Sequence, residues 1–275
     1  MASLALAVTN SRITLTGLRS ALAAGHILVR YQPLVRLADG RPVAMEVLAR
    51  LGPPEDGLIN PVDFVPRMEA AGLSWRLTQA VVRRSFGEWQ ELGLAALGMA
   101  LAINVPLDAM LRRGSAGWIE RERKAAGIPA CMVILELTES RPVNDVPALR
   151  EAVERLRGLG YRLAIDDVGP QARAPENLLD MPFFAMKLDK DLVAAVGEQG
   201  CARSFLERAV ASARIAGMRV VAEGIEDHAT WQRMQALGVD EGQGFIIARP
   251  LTGEALAGWH ASWVGPRAEA AGRLS

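Results

Sequence analysis

An α/β fold, with eight strands closed into a barrel and helices around it, is what this sequence predicts. Three observations lead there. The chain has 275 residues, which suits one α/β barrel of about 250 residues. Short β-rich runs recur along it, with helix-patterned stretches between most of them. Most of those runs carry or end in a polar residue, as barrel strands do when they supply a site at one mouth.

The strand-like runs are His26–Val35, Pro42–Leu51, Met99–Val105, Met132–Thr138, Arg162–Val168, Ala185–Asp189, Arg219–Ile225 and Gln243–Ala248. Near-continuous apolar runs of this length fit strands buried on both faces. The spacers are helical in pattern. Leu149, Ala152, Val153, Leu156 and Leu159 form one stripe, and Phe205, Ala209, Val210, Ala213 and Ala216 form another. Gly160 and Gly217 follow these stripes where helix C-caps belong. Helical crossovers favour parallel pairing. The first link, Ala38-Asp39-Gly40, is too short for one, so the first two strands are expected to form an antiparallel hairpin. Periodicity alone leaves an open doubly wound sheet as the alternative. The boundaries expected are an N-terminal extension at 1–16, the barrel at 17–262 and a C-terminal tail at 263–275.

Composition excludes several classes. Lysine and arginine number 31, as do aspartate and glutamate, so the formal net charge is zero and no basic footprint for a DNA or RNA polymer exists. Glu120 and Glu122 interleave with Arg121, Arg123 and Lys124, which reads as a solvated helix face. The two cysteines, Cys131 and Cys201, make no disulfide framework or CxxC site, and Cys131 reads as a small core residue. A reducing, cytoplasmic location is expected, with no membrane span. His26, His228 and His260 share no ligand spacing for zinc. No GxSxG elbow, P-loop or dinucleotide fingerprint is present.

The polar residues in the strands are Glu46, Asn104, Glu136, Asp166, Asp167, Lys187, Glu223 and Gln243. A buried carboxylate costs several kcal/mol unless paired or metal-bound, commonly by an ion pair of no function. Recurrence of carboxylates and carboxamides over six strands, the second to fifth, seventh and eighth, argues for convergence at one mouth, where the carboxylates repel one another without a cation. Such hard-oxygen ligands suit Mg²⁺ or Mn²⁺, with Ca²⁺ as an alternative, and the Asp166-Asp167 pair suits two ions acting on a phosphodiester. Lys187 reads equally as a group that holds a water or as a salt-bridge partner. A two-carboxylate glycosidase would not need this many acids.

These residues also fall into motifs that resemble the EAL domain family of cyclic di-GMP phosphodiesterases. Tyr31-Gln32-Pro33-Leu34-Val35 resembles YQPIV, and Glu46-Val47-Leu48-Ala49-Arg50 resembles ExLxR, with Val47 in place of the alanine. Asn104-Val105-Pro106, Glu136-Leu137-Thr138-Glu139 and Asp166-Asp167-Val168-Gly169 resemble the NxP, ExTE and DDFG motifs. Lys187-Leu188-Asp189, Ala222-Glu223-Gly224-Ile225-Glu226 and Gln243-Gly244-Phe245 with Ala248-Arg249-Pro250 complete the order.

The resemblance implies a modified (β/α)₈ TIM-type barrel with an antiparallel first strand, cutting cyclic di-GMP to linear pGpG with two ions, Mg²⁺ or Mn²⁺. Glu46, Asn104, Glu136 and Asp166 would hold one ion, and Asp166, Asp167 and Glu223 the second. Lys187 would position the water, with Gln243 supporting it. Gln32, Leu48, Arg50 and Pro250 would contact the nucleotide, Arg50 near a phosphate. Glu139 would brace the loop after the aspartate pair, which in the family also serves a homodimer contact. That loop departs from DDFGTGYSS, reading Val168-Gly169-Pro170-Gln171-Ala172-Arg173-Ala174 after the two aspartates. The departure keeps a second reading in view, a weak or inactive cyclic di-GMP receptor acting through a regulatory protein partner.

Overall fold

In the computed structural model, which describes residues 13–52, 57–138, 145–169, 181–196 and 200–265, eight strands close into a barrel in sequence order. They are β1 (Ile27–Arg36), β2 (Pro42–Leu51), β3 (Ala100–Pro106), β4 (Val133–Thr138), β5 (Arg162–Val168), β6 (Ala185–Leu188), β7 (Arg219–Ala222) and β8 (Glu241–Gly242). The helices are α1 (Leu15–Ala23), α2 (Pro61–Ala70), α3 (Ser74–Glu91), α4 (Leu107–Met110), α5 (Ser115–Ala125), α6 (Val146–Gly158), α7 (Lys190–Ala195), α8 (Cys201–Ile215), α9 (His228–Leu237) and α10 (Gly253–Ser262). The pairs from β2 to β8 are parallel, whereas β1 is antiparallel to both β2 and β8. The short Asp39-Gly40 link makes this inversion, with Gly40 at φ 73° and Arg36 bonded to Asp39.

The helices form where the apolar stripe and caps agree. α6 starts at Asp145, whose carboxylate accepts from the Ala148 amide at 2.9 Å, and is followed by Gly160 at φ 91°. It buries Leu149, Val153 and Leu156. α7 is capped by Asp189, which accepts from Asp191 N at 2.9 Å, and α9 by Asp227, which accepts from Thr230 N at 2.6 Å. The main core lies between the outer faces of the strands and this helical shell. A second, smaller core fills the barrel itself with Leu34, Ala44, Ala100, Ala102, Ile134, Ala164, Ala185 and Val221. The next inward-facing residue on most of these strands belongs to the polar set described above.

Three expectations are corrected. The eighth strand is not Gln243–Ala248 but Glu241–Gly242. The chain turns at Gln243, whose carbonyl accepts from Ile225 N at 3.0 Å, and Ile247 and Ala248 both donate to the Gly244 carbonyl. The apolar run is therefore a turn, and Phe245 is half-exposed. Cys131 is exposed, because it sits in a single 3₁₀ turn before β4. Glu120 and Arg123 are not solvated. Tyr161 donates to Glu120 at 2.8 Å and Arg123 pairs with it at 2.7 Å, both acidic and basic side chains being nearly covered.

The turn after β8 depends on Gly244. A Cβ there would overlap the Ile225 backbone, which is held by the Gln243 hydrogen bond and cannot retreat like a side chain. Gly244→Ala should lower the unfolding free energy by about 2–3 kcal/mol, measured by urea denaturation. A loss under about 0.5 kcal/mol would mean that the turn relaxes freely.

Candidate active site

Every strand from β2 to β6, the residue that follows β7 and the turn after β8 send a polar side chain to the same end of the barrel. Lys187 on β6 is at the centre, with 1% of its surface exposed. Its ammonium lies 2.7 Å from Glu223 Oε1, 2.9 Å from Glu136 Oε2, 3.0 Å from Asp166 Oδ1 and 3.5 Å from Glu46 Oε2. Glu46 is fixed on its other side by amides. Asn104 Nδ2 donates to its Oε1 at 2.8 Å and Gln243 Nε2 to its Oε2 at 2.6 Å.

Asp166 and Asp167 occupy a break in the β5–β6 ladder. Ile165 pairs with Met186 and Val168 with Leu188, so two aspartates oppose the single residue Lys187. This is a β-bulge. In a regular strand the two carboxylates would point to opposite faces. Here Asp167 takes φ 55°, a left-handed conformation that aspartate tolerates better than most residues. Oxygens of Asp166, Asp167 and Glu223 come within 4.8 Å of one another. Asp167 is the exposed member, facing the mouth.

The electrostatics show too much negative charge for one ammonium. Burial opposes ionisation of Lys187, but Asp166, Glu136, Glu223 and Glu46 together hold its pKa well above the ordinary value. Burial also works against Glu46, yet Lys187 and the Gln243 and Asn104 amides keep that carboxyl below its usual range. The others cannot share this benefit. Burial raises Glu136 well above the ordinary carboxyl value and raises Asp166 too, against the pull of Lys187. Burial pushes Glu223 up to about 8, and burial with the Asp166 charge pushes Asp167 to about 6.

The donor set fits divalent cations. Among the described residues, Asn104 Oδ1 and Gln243 Oε1 are buried oxygens without a hydrogen-bond partner, and Asp166 Oδ1 meets Lys187 only as an ion pair. Hard cations take carboxylate and carboxamide oxygens of this kind.

The structure thus brings together Glu46, Asn104, Glu136, Asp166, Asp167, Lys187, Glu223 and Gln243. The four residues expected at the nucleotide lie higher on the same end. Gln32 is the cross-strand partner of Glu46, and its Nε2 donates to the Ala248 carbonyl at 3.1 Å. Leu48 and Arg50 follow Glu46 at alternate positions of β2 and are half-exposed. Pro250 is carried beside β1 because Leu251 and Tyr31 exchange two backbone hydrogen bonds of 2.8 Å. Glu139, and the loop from Pro170 onward, lie outside the described residues. The motifs pass over one cation on this face, Arg30, two positions before Gln32 on a strand of alternating burial.

A closed α/β barrel with an inverted first strand and an acidic centre around one lysine at its mouth defines the class of modified (β/α)₈ barrels. Within that class the chain belongs to the EAL domain family, whose family model matches residues 16–250. A cyclic di-GMP phosphodiesterase of Pseudomonas aeruginosa is 34% identical over 83% of this chain and 39% of its own length. The cyclic di-GMP phosphodiesterase PdeR of Escherichia coli is 27% identical over 89% of this chain and 37% of its own. The chain therefore spans well under half the length of these relatives. Among solved structures, the PaMucR phosphodiesterase in its c-di-GMP complex superposes with a TM-score of 0.80 at 27% identity, over 88% of this chain and 98% of that one. No helix among the described residues is long and apolar enough to cross a membrane.

The charge excess has a measurable consequence for metal-free protein. Asp167 titrates near 3.8 when unfolded and about 6 when folded, and Glu223 near 4.5 and about 8. Between these values the folded state holds the extra protons, so stability falls as pH rises from about 4 to 8. Thermal melts in EDTA should show that decline, and Mn²⁺ should flatten it by taking the place of the protons. Lys187→Met should cost about 3–5 kcal/mol at pH 8, and less at pH 6. A metal-free melting temperature independent of pH would contradict this account of the centre.

Proposed function

We propose that the domain hydrolyses one phosphodiester of cyclic di-GMP to give linear pGpG, with two divalent ions, Mg²⁺ or Mn²⁺. The observation that carries this reading is the convergence of four carboxyl groups on one buried lysine, with Asp167 beside two of them and two buried carboxamide oxygens that have no hydrogen-bond partner among the described residues. The names of the relatives supply the substrate class. Glu46, Asn104, Glu136 and Asp166 would hold one ion, and Asp166, Asp167 and Glu223 the other. The ions, when bound, supply Lewis-acid stabilisation of charge building on the phosphoryl oxygens.

The chain's own groups then have distinct tasks. Lys187 is a donor with no acceptor capacity, so it holds a water by its oxygen and points that oxygen at phosphorus. Gln243 keeps Glu46 in place through its 2.6 Å hydrogen bond, and so keeps an ionised carboxylate beside Lys187. Gln32, Leu48, Arg50 and Pro250 orient the nucleotide above. The water oxygen bonds to phosphorus as the bond to one ribose 3′ oxygen breaks. The attacking water gives up a proton to a carboxylate of the centre, the leaving 3′ oxygen takes one from solvent, and the product is a linear dinucleotide with a 5′ phosphate.

The altered sequence after Asp167 favours a second reading, in which the same cradle binds cyclic di-GMP without cutting it and reports occupancy to a protein partner. Incubation of the purified chain with cyclic di-GMP and Mg²⁺ or Mn²⁺, followed by chromatography, separates the two. Wild type should yield pGpG and Glu46→Ala none. Lys187→Ala should slow turnover by about 10²–10⁴-fold and leave nucleotide affinity within a few-fold. Tight binding with no product would install the receptor reading.

A further inference from the structure

β1 and β2 rise beyond the rest of the barrel. β1 pairs with β8 only at Val35 and Arg36, but with β2 from Ile27 to Val35, while β2 pairs with β3 only from Ala44 to Val47. The upper part is thus a two-stranded ribbon beside the mouth, bridged at its edges by Leu251 to Tyr31 and by Ile59 to Leu51. Ile27, Val29 and Tyr31 bury one face of it in the core, and the Tyr31 hydroxyl donates to Glu88 at 3.0 Å. The alternate residues, Leu28, Arg30 and Gln32, share the opposite face with Leu34, which points into the barrel. Across the ladder, Gln32 faces Glu46, Arg30 faces Leu48 and Leu28 faces Arg50.

Arg30 and Arg50 are therefore diagonal neighbours on the face that looks over the acidic centre, about 7–8 Å apart by such geometry. Both are half-exposed. Each guanidinium folds back on its own strand, Arg30 Nη1 to the Val29 carbonyl at 2.9 Å and Arg50 Nη1 to the Ala49 carbonyl at 2.8 Å. Among the described residues neither is in an ion pair. Burial lowers the Arg50 pKa, and the Arg30 charge lowers it further against the pull of Glu46. Glu254, at the start of α10, feels the Arg30 charge, but its carboxylate is engaged by its own backbone N–H and by Thr252. Two like charges held side by side over an acidic centre call for an anion between them.

A cyclic dinucleotide brings two phosphodiesters in one ring. If the first is cut at the acidic centre, the second must sit a ring's width away and would be repelled by the surplus carboxylates. The level of Arg30 and Leu48 is two residues up the strand from Glu46, about 7 Å. We infer that Arg30, with Arg50, binds the phosphodiester that is not cut, and so acts as a second guanidinium of the substrate cradle. This rests on the proposed cyclic di-GMP reading of the site. The contact is the same before and during reaction, so it sets affinity rather than the chemical step.

The test compares wild type, Arg30→Gln and Arg30→Lys in steady-state hydrolysis of cyclic di-GMP at several salt concentrations, with thermal melts as the folding control. Arg30→Gln should raise KM about 10- to 100-fold, the loss of a charged hydrogen-bond partner, with kcat within about threefold. Its KM should also depend less steeply on salt, and Arg30→Lys should recover part of the affinity. If Arg30→Gln does not fold, Arg30→Lys carries the comparison, since a point charge cannot replace the bidentate fork and KM should still rise. Unchanged KM in an active, folded variant overturns the inference and leaves the phosphodiesterase reading intact. A fall in kcat at constant KM also overturns it. If wild type binds without cutting, the dissociation constant takes the place of KM with the same expectations. Wild type that neither binds nor cuts cyclic di-GMP overturns both readings.

Discussion

The Lys187 ammonium is the constraint around which this molecule is arranged. It is the only cation within ion-pair distance of Glu46, Glu136, Asp166 and Glu223 among the described residues, and it is almost without solvent. One positive charge cannot neutralise so many carboxylates. The centre meets this by division. Glu46, served by Lys187 and two amides, stays ionised, while Glu136 and Glu223 retain protons at pH values where surface carboxyls have lost theirs. A centre that holds such protons would release them to the divalent ions proposed for it. A barrel interior of apolar side chains would be simpler to stabilise, so the arrangement is costly unless it serves chemistry.

Barrel topology turns this charge pattern into a site. Small side chains such as Ala44, Ala102, Ala164 and Ala185 fill the level below, and the polar residues form the level above. The bulge at Asp166-Asp167 adds what a regular strand cannot, two adjacent carboxylates serving one mouth. The antiparallel β1 adds the other departure. Because it runs against its neighbours, its N-terminal half stands beside the mouth, where parallel barrels have only loops. The proposed nucleotide contacts would then be mounted on paired backbone, with the spacing that a strand ladder imposes.

Much of this is legible in the sequence, for identifiable reasons. A charged residue at the end of an apolar run is hard to place except at a strand terminus, so Glu46, Glu136, Lys187 and Glu223 mark both the strands and the site. The short Asp39-Gly40 link fixes the inverted pair. Other features are not legible because the signal is ambiguous. Phe245-Ile246-Ile247 looks like a strand, but the two-residue strand lies before it at Glu241-Gly242, and a short apolar run carries no mark distinguishing strand from buried turn. Asp166 and Asp167 are read as a pair from their adjacency, but nothing local announces the bulge that brings both to one mouth. Arg30 passes unnoticed because its meaning comes from Leu48 and Arg50 across the ladder, a relation set by register.

The two-residue β8 makes the barrel a ring with a thin seam. Val35 and Arg36 pair with Gly242 and Glu241, and these two residues also carry the β7 pairing. Side-chain bonds reinforce the seam from within, Gln243 reaching across to Glu46 and Gln32 to Ala248. A ligand that touches both the ribbon and the turn after β8 would act as a clasp on this ring. Part of its binding energy would then appear as resistance of the whole barrel to opening, so that occupancy and the lifetime of the fold rise together.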